Sequence, residues 1–540
     1  MVCANSKICV PESNENNDLQ ISESDEDDSD DIKFKEIEMQ NRIEEYIKKL
    51  YTLGLPESTI NTIVRANTDL IYPLLNDLTA CSNLDKQLCL INQFKYPLEN
   101  QLSKYLRDKK IYELVVQPLR KSHGLRLDSK YDGEKQHYKQ VITPCTFSYV
   151  PLLETLKFIF KFSAATKYLI HPLKSNNKDY THFIDGEVYK NHPFFKENEN
   201  AIQLQIYFDE FEVCNPLGSR SGIHKIGAFY FTILNFPSYV NSNLNNIHLL
   251  ALCYNLDIKE FGINSILDVI MNDIKILETK GIFIESLNSV VKGTLVSLSF
   301  DNLGGAMLLG MNESFSSTNY CRICLLPKTE AQCTYDVENY KLRTSESFKY
   351  LARRLHCANS GTLNFFGIKN FSPFCGLKNF KICENYSIDV MHDFLEGIGQ
   401  RDVKLFLSYC IESKLTSLED INNRIHAFDY GLENRPNKPS SIKLNKSSNG
   451  IGQHAAQTLY LIKEHHKILI EEYSVNLTPK DHLALHYPLI ISKTGPPKIQ
   501  WTMRYESKNG FFTSLAEKLK NFKDIAQTLS NRHQKTLLSY

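Results

Sequence analysis

Thr294–Cys324 reads TLVSLSFDNLGGAMLLGMNESFSSTNYCRIC. Leu295, Val296, Leu298 and Phe300 form a short apolar run of the kind that suits a strand covered on both faces. Asp301 follows at once. A carboxylate just past the C-terminal end of such a strand stands where open α/β sheets place their chemistry. Gly304 and Gly305 allow a close turn, and Cys321-x-x-Cys324 ends the stretch with a spacing suited to zinc.

Upstream, the pattern turns to β at Ala201. Ile202, Leu204, Ile206 and Phe208 alternate with Gln203, Gln205 and Tyr207, which predicts a half-buried strand running into Asp209-Glu210-Phe211-Glu212. A turn at Asn215–Gly218 leads to a second strand at Ile226–Phe236, and the polar turn Asn241–Asn246 leads to a third at Ile247–Cys253. Ile263, Ile266, Leu267, Ile270, Ile274 and Leu277 mark the apolar stripe of a helix. The opening stretch then supplies a fourth strand, a short helix and a fifth strand at Asn319–Leu325.

The resulting order, β-β-β-α-β-α-β, predicts an α/β protein. Three hairpin-linked strands, a helix and a fourth strand is the element order of a ribonuclease H-like mixed sheet. In that fold the first and fourth strands are parallel neighbours, which would bring Asp209 and Asp301 together. Two close carboxylates repel and desolvate each other, and a divalent cation relieves both effects. With a third acid they could hold two Mg²⁺ ions about 4 Å apart, one activating water or a 3′-hydroxyl and the other stabilising a leaving oxygen. The competing reading is two solvent-facing acids at strand ends.

Beyond residue 326 the pattern is mostly helical. One helix starts near Asp389 and reaches about Cys410, another covers roughly Ala456–Tyr473, and a last one covers Ser507–Leu529. Asp389, His392 and Glu396 share a face of the first through i,i+3 and i,i+4 spacing. A capping acid and a surface pair would give the same pattern. His482, His486 and Arg504-Tyr505-Glu506 are equally open. Ile499–Tyr505, which holds the only tryptophan, Trp501, reads as a last core strand. For Cys321 and Cys324, the further ligands available by type are Cys333, His356, Cys357, Cys375, Cys383 and His392, against the alternative of plain buried thiols.

At the other end, residues 1–33 are acidic and lack the apolar mass to fold, so a disordered tail is expected, with Ser22, Ser24 and Ser29 among its acids. Residues 34–110 read as helical: Ile43, Tyr46, Ile47, Leu50 and Tyr51, then Ile60, Ile63, Val64 and Leu70, flank a turn at Gly54-Leu55-Pro56. Such a pair is either ordinary helical packing or a helix-turn-helix DNA reader. Residues 111–200 look mixed and loop-rich, with Pro144, Pro151 and Pro193. The expected organisation is therefore 1–33 tail, 34–110 helical region, 111–200 mixed region, 201–325 core, 326–498 helical insertion, and 499–540 last strand and C-terminal helix.

The 540 residues carry 62 basic and 62 acidic side chains. Residues 1–40 hold 12 of the acids and 3 of the bases, which leaves the remainder at a formal +9. That sign is compatible with nucleic acid but mild over such a length. No run approaches the ~20 apolar residues that span a bilayer, and no secretory signal opens the chain. An intracellular protein with reduced thiols is expected.

Five segments together resemble a known family: YFDEFEVCNPLGSRSGIHKIGAFYF (207–231), FDNLGGAMLLGMNESFSSTNYCRIC (300–324), ENYSIDVMHDFLEGI (384–398), ALHYPLI (484–490) and IQWTMRYESKNGFF (499–512). They look like blocks of animal proteins derived from CACTA (En/Spm-like) transposases, over roughly residues 110–540. The resemblance implies a DDE/D nuclease core of ribonuclease H type, interrupted by a helical insertion before its last acid. It makes Asp209 the first metal-binding acid, Asp301 the second and Glu506 the third, with Asp389 as the alternative third. It pairs Cys321 and Cys324 with His392 as zinc ligands. It also implies Mg²⁺ or Mn²⁺ as cofactor, DNA as partner, a homo-oligomer and a nuclear location. Glu210 stands where relatives carry Asp, and no N-terminal zinc finger is visible. The expected function is DNA strand cleavage and transfer. The alternative is a non-catalytic DNA- or protein-binding module of the same fold.

Overall fold

The computed structural model describes residues 41–79, 115–132, 137–175, 180–213, 224–334, 340–358, 365–427, 438–445, 450–455, 457–458, 478–520 and 522–537. Contacts separate residues 1–113 from residues 114–538. In the first unit, a helix over 41–52 (α1) turns through Gly54, at φ +64°, into Glu57–Thr79 (α2). Ile47, Leu50, Tyr51, Ile60 and Val64 are buried, as their spacing predicts, and the Tyr51 hydroxyl donates to Glu57 at 3.0 Å. The acidic tail of residues 1–33 and its serines lie outside the described residues.

The second unit is a mixed α/β structure. Its strands are β1 (Leu119–Asp132), β2 (His137–Tyr149), β3 (Ile202–Glu212), β4 (Lys225–Ile233), β5 (His248–Tyr254), β6 (Ile282–Ile284), β7 (Ser289–Val291) and β8 (Gly293–Phe300). Six of them form one sheet in the order β1-β2-β5-β4-β3-β8, and β6 and β7 form a separate small hairpin. The neighbours are antiparallel except β3 and β8, which run parallel with Phe208 opposite Phe300. The predicted first to fourth strands are thus all present, and the first and fourth are side by side.

Helices cover both faces of the sheet. On one side, Ile266, Ile270, Ile274 and Leu277 of the helix Asn264–Thr279 pack with Leu152, Leu156 and Phe160 of Leu152–Phe160 against Ile206, Phe229, Leu295 and Leu298. On the other, Tyr505, Phe512 and Leu515 of Met503–Leu519 and Ile525 and Leu529 of Ile525–Thr536 cover Tyr207, Ile226, Tyr230 and Leu249. This second layer corrects the half-buried reading of β3. Gln203 and Gln205 are buried, and Gln205 Oε1 accepts from the Tyr505 hydroxyl at 2.9 Å and from Arg504 at 3.1 Å. Polar alternation here serves a buried polar network.

Other differences have local causes. The region 111–200 contains the long hairpin β1–β2. Pro144 is tolerated because β2 meets β5 only through Ser148 and Tyr149, so its missing N–H lies outside the central ladder. Asn319–Leu325 is not a strand: the N–H groups of Ile323 and Cys324 turn in on Cys321 Sγ at 3.3 and 3.4 Å, which bends the chain around the sulfur. Ile499–Tyr505 is not a strand either. The free edge of β8 is taken by residues 385–387, where the Leu298 N–H donates to the Asn385 carbonyl and the Ser387 N–H to the Leu298 carbonyl, both at 2.9 Å. Gln500 binds β8 through side chains instead, accepting from Ser297 at 2.6 Å and from Ser299. The last helix is two helices, because Lys520 turns left-handed at φ +51° and Asp524 caps a new start. The helix expected at Ala456–Tyr473 falls almost wholly outside the described residues.

Candidate functional site

Two clusters of chemistry-bearing side chains meet beside the C-terminal ends of β3 and β8. The first is carboxylate-rich. Asp209, inside β3, and Asp301, just past β8, each follow the last pair of the parallel ladder, Phe208–Phe300. Asp301 also caps the helix Asn302–Leu309, its Oδ1 accepting from the Gly304 N–H at 2.6 Å. Both glycines that follow are required by close packing. A Cβ at Gly304 would stand 3.1 Å from the Phe208 carbonyl oxygen, and one at Gly305 would stand 2.4 Å from the Phe300 ring.

Asp389 follows the short segment against the edge of β8 and is almost fully buried. It accepts from the Thr502 hydroxyl at 2.8 Å and pairs with His392 Nδ1 at 2.5 Å. His392 Nε2 reaches Glu506 Oε1 at 3.2 Å, so one imidazole bridges the two acids expected as alternatives for the third position. The chain from Met391 to Ile398 is a π-helix, a wide turn that recurs at functional sites. Glu396 is exposed, yet its charge still acts on Glu506, the partner of His392.

The electrostatics report the crowding. Burial and then the charge of Asp301 push Asp209 up to about 6, and burial raises Asp301 as well, in spite of the Gly304 N–H. Burial also pushes Glu506 up to about 7 against the pull of His392, with Asp209 and Asp389 adding to the rise. Burial disfavours a charge on His392, but the Asp389 hydrogen bond and the surrounding acids overcome it and push the group up to about 10. One imidazolium therefore faces four carboxyl groups. All four also act on the buried Tyr207 hydroxyl, whose ring stacks on Tyr505 at 4.1 Å.

Asn509 escaped the sequence reading. It lies three residues after Glu506 on the same helix, donates to Asp209 Oδ2 at 2.8 Å and accepts from the Tyr230 hydroxyl at 2.8 Å. The i,i+3 spacing from Glu506 was the available signal.

The second cluster is the only one among the described residues whose ligand atoms all lie within 4.8 Å of one another: Cys321, Cys324, His482 and His486, all buried. Cys324 Sγ is 3.2 Å from His482 Nε2, which is 3.4 Å from His486 Nε2. Thr478 caps the helix Pro479–Leu485 that carries His482, and His486 follows one turn later at its end. Burial opposes a thiolate at Cys321, yet bonding from Cys324, His482 and His486 drives that group well down while Cys324 keeps its proton. A thiolate, a second thiol and two imidazole nitrogens at these separations form a Cys₂His₂ set that could hold a structural metal such as zinc. The structure separates His392 from this set and places it with the acids. The overlooked signal was the i,i+4 spacing of His482 and His486, 158 residues beyond Cys324.

The two clusters are tied together. Arg322, between the cysteines, donates to Asn302 at 2.7 Å, and Asn302 donates to Asp393 at 2.6 Å. Lys480, beside His482, donates to the His392 carbonyl at 2.6 Å.

Comparison with protein-family models gives no match, and comparison with curated protein sequences gives none. No described helix is long and apolar enough to cross a membrane.

Proposed function

We propose that this chain is a transposase-like protein with a DDE/D nuclease core of ribonuclease H type, working on DNA in the nucleus. The observation that carries the reading is the placement of Asp209 and Asp301 side by side where the parallel β3–β8 ladder ends, with Glu506 brought to the same cluster from a distant helix. The sheet order supports it: three antiparallel strands, a parallel fourth, and residues 385–387 along the outer edge. The segments that resemble CACTA transposases supply all of these residues.

Crowding supports a divalent cation at the acid set: four carboxyl groups lie partly buried with a single imidazolium among them. Asp209, Asp301 and Glu506 would hold Mg²⁺ or Mn²⁺, whose chemistry is activation of water or a 3′-hydroxyl and neutralisation of a leaving phosphodiester oxygen. Glu506 is preferred over Asp389 as third ligand. Asp389 is already engaged by Thr502 and His392, whereas the Glu506 side chain keeps 33% of its exposure. Asn509 orients the Asp209 carboxylate, and the Gly304 N–H fixes that of Asp301. Asp389 fixes the orientation of His392, which holds Glu506 in place.

The test is nicking of supercoiled DNA by purified protein with Mg²⁺ or Mn²⁺, comparing wild type with Asp301→Ala. Cleavage by wild type alone is expected. Equal cleavage by both, or none by either, overturns catalysis and leaves the non-catalytic binding module of the same fold.

A further inference from the structure

The hairpin β1–β2 carries an anomaly unrelated to the acid site. From the Gly124–Cys145 pair outward to the Asp132–His137 pair, nine rungs of ladder run beyond the sheet, a ribbon of about 30 Å. Alternation divides its side chains. One face carries Leu125 and Pro144, Leu127 and Ile142, Ser129 and Gln140, and Tyr131 and Tyr138 as cross-strand pairs. Every one of these residues is exposed, and Leu125, Leu127, Tyr131, Tyr138 and Ile142 are 58–71% exposed. They are contiguous, and the tyrosine rings already touch edge to face at 5.4 Å. Apolar surface so concentrated marks an interaction site.

The base of the opposite face is packed on the body of the protein. Gly124 sits under the Phe261 ring, Arg126 bonds Asp257 and Glu260 at 2.5 Å, and His123 bonds the Asp257 carbonyl at 3.1 Å. These contacts fix the base of the ribbon on the helix Asn255–Phe261 and turn the apolar face away from the body that holds it.

We propose that this face is a homodimer interface, on which the ribbon of a second copy of the chain packs face to face. Charge selects that occupant. None of the eight side chains on the face is ionisable near neutral pH, so two copies can meet without like-charge repulsion, as an isologous contact requires. The same absence argues against DNA, because the face has no cation to neutralise phosphate and the ribbon's Lys130 and Lys139 point to the other side. Area agrees. At roughly 100 Å² of exposed apolar surface per large side chain, five present about 500 Å², and two faces together reach the ~1,000 Å² that a specific interface needs.

Sedimentation equilibrium of the full chain tests this. The wild type is expected to dimerise to twice 62.2 kDa with a dissociation constant on the order of 1–10 μM. Leu127→Lys and Leu127→Glu should each weaken self-association about tenfold or more, because each sets like charges against each other. Their positions are exposed, so far-UV dichroism should be unchanged. Mixing the two variants should restore a dimer of one copy of each. A wild type that stays monomeric overturns the proposal, as does a dimer that neither variant weakens or that mixing fails to restore. A monomer that instead binds duplex DNA through Leu127 overturns it as well.

Discussion

Asn302 Nδ2 donates to Asp393 Oδ1 at 2.6 Å while Asn302 Oδ1 accepts from Arg322 Nη1 at 2.7 Å. The amide after Asp301 thus joins the residue after His392 to the residue after Cys321. Asp393 is fully buried, and among the described residues its other oxygen accepts only from the Tyr487 hydroxyl at 3.1 Å. Asn302→Ala strips a partner from both Asp393 and Arg322. A loss of about 1–3 kcal/mol is expected in urea unfolding. Asn302→Asp should cost more, since it sets a carboxylate against Asp393. A variant as stable as wild type would show that the link is incidental.

Gly305 tests the packing that presents Asp301. A Cβ there meets the Phe300 ring, which is itself buried and cannot swing away. Gly305→Ala should destabilise by about 1–3 kcal/mol through overpacking. Gly510, on the helix Met503–Leu519, has open space at the same position and is exposed. Gly510→Ala should therefore stabilise by roughly 0.5–1 kcal/mol. The opposite signs of the two changes, read in one thermal melt series, check the close approach of that short helix to β8.

Metal analysis separates the two readings of the cysteine pair. Purified protein should carry one equivalent of zinc, and Cys321→Ser or His486→Ala should lose it along with several degrees of melting temperature. His392→Ala should keep it, because His392 bonds Asp389 and Glu506 rather than the thiols. Loss of zinc from His392→Ala alone would reverse that assignment.

What could be read from the chain was set by period and by local chemistry. Alternation located β3 and a short apolar run located β8, and Asp209 and Asp301 could be paired because parallel neighbours bring the residues after their last pair together. The hairpin β1–β2 went unread although Leu125, Leu127 and Tyr131 alternate with Arg126, Asp128 and Lys130, because Pro144 reads as a breaker and the outer rungs bury no core face. Cys321 and Cys324 were visible as a pair, but their histidines lie on a helix that only tertiary packing returns to them. Ile499–Tyr505 was apolar enough for a strand, yet Asn385–Ser387 had already occupied the edge it would need.

Two buried histidines supply a pH test of the helical layer behind the sheet. Burial and then the charge of Lys508 lower His248 to about 3, and burial drives His533 down as well. Neither ring nitrogen of His248 has a hydrogen-bond partner among the described residues. With its folded value below the ~6.5 of an unfolded chain, His248 costs nothing above pH 6.5. As pH falls toward 3 the unfolded chain takes up a proton that the folded one refuses, so stability drops. At pH 5 that amounts to about 2 kcal/mol for His248, and His533 acts in the same direction. Asp209 and Glu506 work oppositely: their folded values are raised to about 6 and about 7, so they favour the folded state as pH falls below those values. The wild-type curve therefore mixes both signs, and the difference between wild type and His248→Leu isolates one. Urea midpoints should show the variant at least as stable as wild type at pH 7.5, with its advantage growing by about 2 kcal/mol by pH 5. A difference that stays flat across that range would mean that His248 can take up its proton in the folded state.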